Sequence, residues 1–319
     1  MTRTSWTASE LLAVTFPPPR WAVPGVVAEG LTLLVGPPKL GKSWFVLGLL
    51  VAIALGGRAL GAVDVTVGDC LYLALEDNAR RLQTRLRIVL GTQPGPHRLT
   101  IATECEPMPV AGDRIRQWLD EHPDARLVVV DVLARVRPRT SVRADKYDAD
   151  YHAVAELKAI ADAYGVAILV VHHSRKADAE DYVDVVSGTQ GLAGAADAIM
   201  ALTRSRGASD AVLKITGRDV EEAEHALRFD PRTGSWHMLE GPPEDYSVQD
   251  TRRRILQVVR DAEALTPKQI AEATGLDHDL VRRTVRRMVD AGQLDTDGAG
   301  SYFPPVTAVT PVTPHPPSL

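Results

Sequence analysis

The 319-residue chain is poor in cysteine, with only Cys70 and Cys105. Two such residues are too few for a disulfide framework and show no metal-ligand spacing, so the simplest expectation is a reduced, cytoplasmic protein. The chain also lacks an excess of basic charge. With 36 Lys and Arg against 41 Asp and Glu, a net charge of -5 and a pI near 6.0, any contact with nucleic acid has to come from a local patch. No charged, apolar and cleavage-site pattern of a secretory leader opens the chain, and the apolar stretch from Trp44 to Leu55 is too short to span a bilayer. No membrane partner is expected. The length leaves room for one large core plus a small second domain.

What is present is organised around Gly36-Pro37-Pro38-Lys39-Leu40-Gly41-Lys42-Ser43, which fits G-x-x-x-x-G-K-[ST] without a gap. Leu31 to Val35 ahead of it reads as a buried strand, and Trp44 to Leu55 behind it as an apolar helix stopped by Gly56-Gly57. In a strand, glycine loop and helix, the loop amides and the helix N-terminus converge on a concave anion site suited to di- and triphosphates. Gly36 opens the turn. Pro37 and Pro38 have no N–H, so the cradle falls to Lys39, Leu40, Gly41, Lys42 and Ser43. Lys42 is placed to reach the β- and γ-phosphates of ATP, and the Ser43 hydroxyl to take a position on Mg²⁺.

Thr7 and Glu10 form a capping-box pattern before Leu11, Leu12 and Val14, which predicts a short amphipathic helix; Trp21 to Gly30 then leads into the first strand and is expected to pack on the core. Beyond the P-loop helix, Asp69 to Leu75 predicts a strand that delivers Glu76 and Asp77 at its end, with a helix from Asn78 to Leu90 and Gly91 as its stop. Ligands bind at the carboxyl edge of strands in open α/β sheets, and a Glu there can deprotonate an attacking water. Glu76 is the candidate base and Asp77 the expected helix cap; the alternative leaves Glu76 as surface decoration. His97 to Thr103 is a further candidate strand, and Asp113 to Asp120 a helix with Trp118 on its buried side. Arg126 to Asp131 is an apolar strand ending in Asp, the pattern by which a P-loop ATPase holds Mg²⁺ through water. Val132 follows Asp131, so this strand brings no second carboxylate and the catalytic role returns to Glu76.

The P-loop, a Glu after the next strand, and an Asp-ended strand without its own Glu together resemble the RecA-type ATPase core more than the AAA+ arrangement, over about residues 29 to 240. Leu73-Ala74-Leu75-Glu76-Asp77 and Val170-Val171-His172-His173-Ser174-Arg175-Lys176 are similar to the RepA-like hexameric replicative helicases of plasmids and phages. That resemblance implies an α/β fold with a mainly parallel sheet flanked by helices. It also implies a γ-phosphate sensor at His172 and His173, and a ring, by expectation a hexamer, with single-stranded DNA in its channel. The alternative reads both as ordinary packed histidines. The resemblance further implies a basic residue that reaches the neighbour's γ-phosphate. In the plasmid helicase that arginine lies one strand earlier, where this chain has the apolar Ile199-Met200, so Arg218, at the end of the strand Ala211 to Thr216, is the leading candidate. Lys214 and Arg204 stand in reserve, and pairing of Arg218 with Asp219 or Glu221 is the rival reading.

Two loops are candidates for DNA contact. Arg135, Arg137, Arg139, Arg143 and Lys146, with Tyr147 and Tyr151 interleaved, suit a single-strand path, or else a solvated surface loop. Arg175 to Gly191 has an acidic middle (Asp178, Glu180, Asp181, Asp184) that argues against phosphate contact there, while the amides near Gly188 to Gly191 could meet a phosphate.

Phe229 to Trp236 predicts a terminal hairpin, and residues 241–247 a linker. Residues 248–304 resemble a winged helix-turn-helix: an amphipathic Thr251 to Asp261, a capping box at Thr266 to Gln269, a helix capped by Asp277 and stopped by Gly292, then a wing through Asp297-Gly298 and Tyr302-Phe303. Leu280, Val281, Val285, Met288 and Val289 are expected inside, leaving Arg282, Arg283, Arg286 and Arg287 outward for duplex DNA. The alternative partner is protein, a neighbouring subunit or a replication factor such as a primase. Residues 305–319 are expected to be disordered. No primase or helicase-loading domain is expected within these residues. The pattern as a whole predicts a DNA helicase or translocating motor of a phage, plasmid or integrated element, with an ATP-switched DNA-binding regulator or recombination accessory protein as the alternative.

Overall fold

The computed structural model describes residues 5–138, 146–173, 190–204, 210–241, 243–260, 262 and 264–305. The chain divides into two compact units, Met1–Gly241 and Pro242–Leu319. Residues 305–319, expected to be disordered, fall outside the described residues from 306 onward.

In the first unit, the capping box at Thr7 and Glu10 forms, and the helix α1 (Ala8–Ala13) follows it. None of its residues is buried; Leu12 is 88% exposed. The lead-in makes a small ribbon, β1 (Trp21–Val23) with β2 (Val27–Ala28), whose Val23 and Val27 pack in the core as expected. β3 (Gly30–Gly36), the P-loop strand, is buried along its whole length. The P-loop helix α2 (Lys42–Leu55) ends at Gly56, which takes the left-handed conformation (φ 70) that glycine adopts without steric cost. A second ribbon, β4 (Arg58–Ala59) with β5 (Val63–Asp64), precedes β6 (Asp69–Ala74). Then come α3 (Ala79–Leu90), β7 (Leu99–Ala102), α4 (Val110–Glu121) with Trp118 buried, and β8 (Ala125–Asp131). The short α5 (Leu133–Val136), α6 (Lys146–Tyr164), β9 (Ala167–His173) and α7 (Gln190–Ala195) follow. The unit closes with β10 (Ala198–Thr203), β11 (Asp210–Gly217), β12 (Ala223–Asp230) and β13 (Ser235–Met238). The last two are the expected hairpin, in register Asp230 to Ser235.

Nine strands form one sheet in the order β13-β12-β11-β10-β3-β9-β8-β6-β7. From β10 to β7 every pairing is parallel, and from β10 to β13 every pairing is antiparallel. Parallel strands covered on both faces read as continuous apolar runs, which is why β3 and β8 were legible as such. One face packs Phe45, Leu49, Leu50 and Ile53 of α2 over Tyr72, Val129 and Leu169. The other packs Leu157 and Ile160 of α6, with Ile115 of α4, over Leu33, Val128 and Val130. Asn78, not Asp77, caps α3: its side chain accepts from the Arg81 amide, while Asp77 is drawn into ion pairs with Arg81 and Arg85. Two adjacent residues can each cap a helix, and the cations one and two turns on decide which one is left to do it.

In the second unit, residues 243–247 of the expected linker are already helical, in α8 (Pro243–Arg260). Proline at the first helical position and Glu244-Asp245 in the first turn favour a helix start there. α9 (Pro267–Thr274) has the capping box at Thr266 and Gln269, and α10 (His278–Asp290) is capped by the Asp277 side chain. The wing is β14 (Asp295–Thr296) paired with β15 (Tyr302–Phe303). Ile255, Val259, Ile270, Val281, Val285, Met288 and Leu294 build its core. Leu280 does not join them: it is 37% exposed, because the buried stripe runs through Val281, Thr284, Val285 and Met288 and Leu280 falls one position off it. Arg282, Arg283, Arg286 and Arg287 are all exposed, as expected.

Candidate nucleotide site

Register brings the candidate residues together. Ala74 lies opposite Asp131, Asp131 opposite Val171, Val35 opposite His172 and Gly36 opposite His173, so the ends of four parallel strands share one edge. At that edge α2 begins from Gly41, which sits at φ 101 and offers no side-chain cap. The first amides of an uncapped helix are unsatisfied donors, the arrangement that receives an anion. Gly36 has no room for a side chain, since a Cβ there would meet Leu202 O at 2.5 Å.

Lys42 is 4% exposed, and its ammonium donates to Gly36 O at 2.6 Å and Pro37 O at 2.9 Å. Burial pushes its pKa down to about 8, against the opposing pull of the Asp131 and Glu76 charges. A buried cation held by neutral carbonyls gains from an arriving anion, so Lys42 fits a polyphosphate. Asp131 is buried, and burial pushes its carboxyl up, with hydrogen bonds from Ser43 and Tyr72 pulling the other way. A hydroxyl and a carboxylate in contact at the edge fit a hydrated Mg²⁺, whose charge would relieve the buried Asp131. The Tyr72 hydroxyl donates to Asp131 Oδ2 at 2.9 Å. The sequence reading passed over Tyr72, although strand alternation from Ala74, opposite Asp131, puts it on the same face.

Glu76 follows β6 in a turn, half exposed, with its Oε2 3.3 Å from His173 Nε2. The two histidines divide between the sheet's faces. His173 reaches Glu76, whereas His172 is held below its ordinary pKa by burial and feels Asp150, Arg137, His173 and Lys42. Asp150 is bound through both oxygens by Arg137, with Nη2 to Oδ2 at 2.7 Å. Arg137 is therefore committed to an ion pair and is not a free cation of a DNA path. Arg135 is exposed; Arg139 and Arg143 lie outside the described residues, as does the loop from Ser174 to Thr189.

The terminal hairpin supports the P-loop, a role the sequence reading did not find. Trp236 donates its indole N–H to Gly41 O at 3.1 Å, and Trp44 lies between Phe229, 6.1 Å away, and the Arg85 guanidinium, 5.3 Å from its ring. Arg218 is not at this edge. Because β11 runs antiparallel to β10, its end lies at the strand starts, where Arg218 N–H donates to Asp197 O and its side chain to Gly194 O. It pairs with neither Asp219 nor Glu221. Of the reserves, Lys214 is bound to Glu224 at 2.6 Å and Arg204 is exposed just past β10.

Residues 1–179, more than half of the chain, match the family described as AAA domain. The chain belongs to that family. Its site nonetheless has the layout expected of a RecA-type core, with the acidic residue supplied by the strand beside Asp131. Residues 246–298 match the MarR family. The fold is similar to a solved structure titled "The Structure Of A DnaB-Like Replicative Helicase And Its Interactions With Primase", with TM-score 0.55 and 16% identity over 66% of this chain and 59% of that one. The chain thus spans little more than half the length of that helicase. No helix among the described residues is long and apolar enough to cross a membrane.

Proposed function

We propose that the protein is an ATP-hydrolysing DNA helicase or DNA-translocating motor, RepA-like and belonging to a phage, plasmid or other mobile element, which acts as a ring of identical subunits. The observation that carries this reading is the single edge on which Lys42, Ser43, Asp131, Glu76 and His173 meet. Lys42 and the amides of the P-loop would neutralise the polyphosphate, and Ser43 with Asp131 would hold Mg²⁺, which supplies charge to the transferring phosphoryl group. Glu76 would take the proton of the attacking water, with His173 fixing its carboxylate. Hydrolysis would complete its charge balance with Arg218 of the neighbouring subunit, since this side chain stands at the far edge from its own P-loop. Six subunits would enclose single-stranded DNA, and α10 would engage duplex through its exposed arginines.

The independent second unit, with four arginines on one side of α10, favours one other reading: an ATP-switched DNA-binding regulator. Forked-duplex unwinding with ATP and Mg²⁺ at graded salt separates the two. Strand separation that disappears in Lys42→Ala supports the motor; ATP-dependent binding with no unwinding at any salt contradicts it.

A further inference from the structure

Among the described helices the strongest charge asymmetry lies in α3. Its twelve residues hold Arg80, Arg81, Arg85 and Arg87 with no acidic residue, in a chain whose net charge is -5. Arg81 and Arg85 are spent on Asp77, and Arg81 also donates to Glu76 O at 3.0 Å. Arg80 and Arg87 are exposed, and neither side chain pairs with any described residue. They are seven apart, which puts them on one face of the helix, about 10 Å from each other along its axis. α3 begins three residues after Glu76, so this basic face starts at the mouth of the nucleotide site.

The complementary feature is the turn between β11 and β12. Val220 is buried and anchors it, while Asp219, Glu221 and Glu222 are exposed without a partner among the described residues. Arg218 opens the same turn, exposed, with its side chain donating to Gly194 O of its own chain, a bond that docking would have to exchange. This acidic turn lies at the strand starts and Glu76 at the strand ends, a strand length of about 20 Å apart. Within one chain the α3 face lies on the β6 side of the sheet and the turn at β11 and β12, with β10, β3, β9 and β8 between them, so the two patches cannot neutralise each other. Complementary patches at different places on one chain generate head-to-tail, heterologous association, the kind that closes into rings.

We infer that the acidic turn Asp219 to Glu222 of one copy docks on the Arg80 and Arg87 face of the next, and that this contact delivers Arg218 to the neighbour's nucleotide site. The occupant of the α3 face is thus a second copy of this chain. The inference rests on the reading of Arg218 as a residue acting in trans, and it adds the surface that steers it there. Paired opposite charges set register and encounter, and like charges brought together there oppose binding.

The test is sedimentation velocity on the full chain with ATP and Mg²⁺ near 100 mM salt. Two charge-reversed variants are compared, Arg80→Glu with Arg87→Glu and Glu221→Arg with Glu222→Arg, their folding checked by circular dichroism. Each alone should associate at least about tenfold more weakly than wild type. An equimolar mixture should recover association, because in an alternating ring every interface again pairs opposite charges. If either reversal fails to fold, the neutral pair Arg80→Gln with Arg87→Gln serves instead and should flatten the salt dependence of association. Wild-type association by both reversed variants, no recovery on mixing, or a wild type that stays monomeric would overturn the inference. So would weaker single-strand DNA binding with association unchanged, which would make α3 a nucleic-acid surface. The ATPase reading fails separately, by undiminished turnover in Lys42→Ala.

Discussion

The charges of the nucleotide edge and those of α10 are built on opposite principles. At the edge the charged groups are few and desolvated: Lys42 has its pKa pushed down to about 8, the Asp131 carboxyl is pushed up, and His172 is pushed down, each chiefly by burial. On α10 four arginines stand in water over a core of Val281, Val285 and Met288. Buried charges act at short range in a low dielectric, so one substitution removes most of a function, and salt hardly matters. Exposed charges act as a sum, so each contributes little and salt screens all of them.

The comparison breaks first at Lys42. Lys42→Ala should lower ATP turnover to background, a loss of about 10³-fold or more, because the buried P-loop ammonium is then missing at the transferring phosphoryl group. Undiminished hydrolysis would remove the P-loop assignment. Arg218→Ala should lose about 10³-fold if it acts in trans. Mixing it with Glu76→Gln subunits should restore part of the rate, since some interfaces then hold an intact composite site; a flat response across mixing ratios argues against action in trans.

Titration sharpens the comparison further. Above pH 8 the terminal phosphate of ATP is fully ionised but free Lys42 loses its proton, so affinity should fall by about tenfold per pH unit, and binding should take up a proton, measurable by calorimetry in buffers of different ionisation enthalpy. Stability moves the other way. The unfolded chain keeps the Lys42 proton to the ordinary lysine value of 10.5 while the folded chain releases it near 8, so unfolding takes up protons between those values and the contribution of Lys42 to stability rises with pH across them. Affinity that stays level from pH 7 to 9.5 would contradict this account of Lys42. The smallest effect belongs to α10. Replacing Arg283 and Arg286 together by Ala should flatten the slope of log affinity for duplex against log salt by about 1 to 2 and leave DNA-free hydrolysis nearly unchanged. A folded unit without salt-dependent duplex binding would make it a protein-contact module, and the charge count of nine Lys or Arg against nine Asp or Glu between residues 250 and 303 means that net charge supplies no affinity of its own.

Much of the nucleotide edge was legible because phosphate chemistry requires fixed residue types at fixed spacing, and because apolar strands that end in Asp131 or Glu76 announce which end carries function. The winged unit was legible from caps and period, at Thr266, Asp277 and Gly292. Reading failed where the decision was tertiary. Trp236 meets Gly41 across 195 positions, which no local pattern encodes. Asp77 could have capped α3 had Arg81 and Arg85 not claimed it. Leu280 looked interior because the apolar stripe of α10 is wider in sequence than the face that is covered. His172 and His173 read as one signature, yet alternation along β9 sends them to different faces.

The central claim is that Glu76, brought beside Lys42 and Asp131 by a neighbouring strand, is the base for hydrolysis. Its most direct test measures nucleotide affinity and turnover on the same preparation of Glu76→Gln, which keeps the shape of the side chain and removes the carboxylate. Affinity for Mg-ATP within a few-fold of wild type, with turnover lower by about 10² to 10⁴, is the result this account predicts. A turnover near wild type would contradict it, leaving Glu76 as a surface residue paired with His173 and the base for hydrolysis elsewhere.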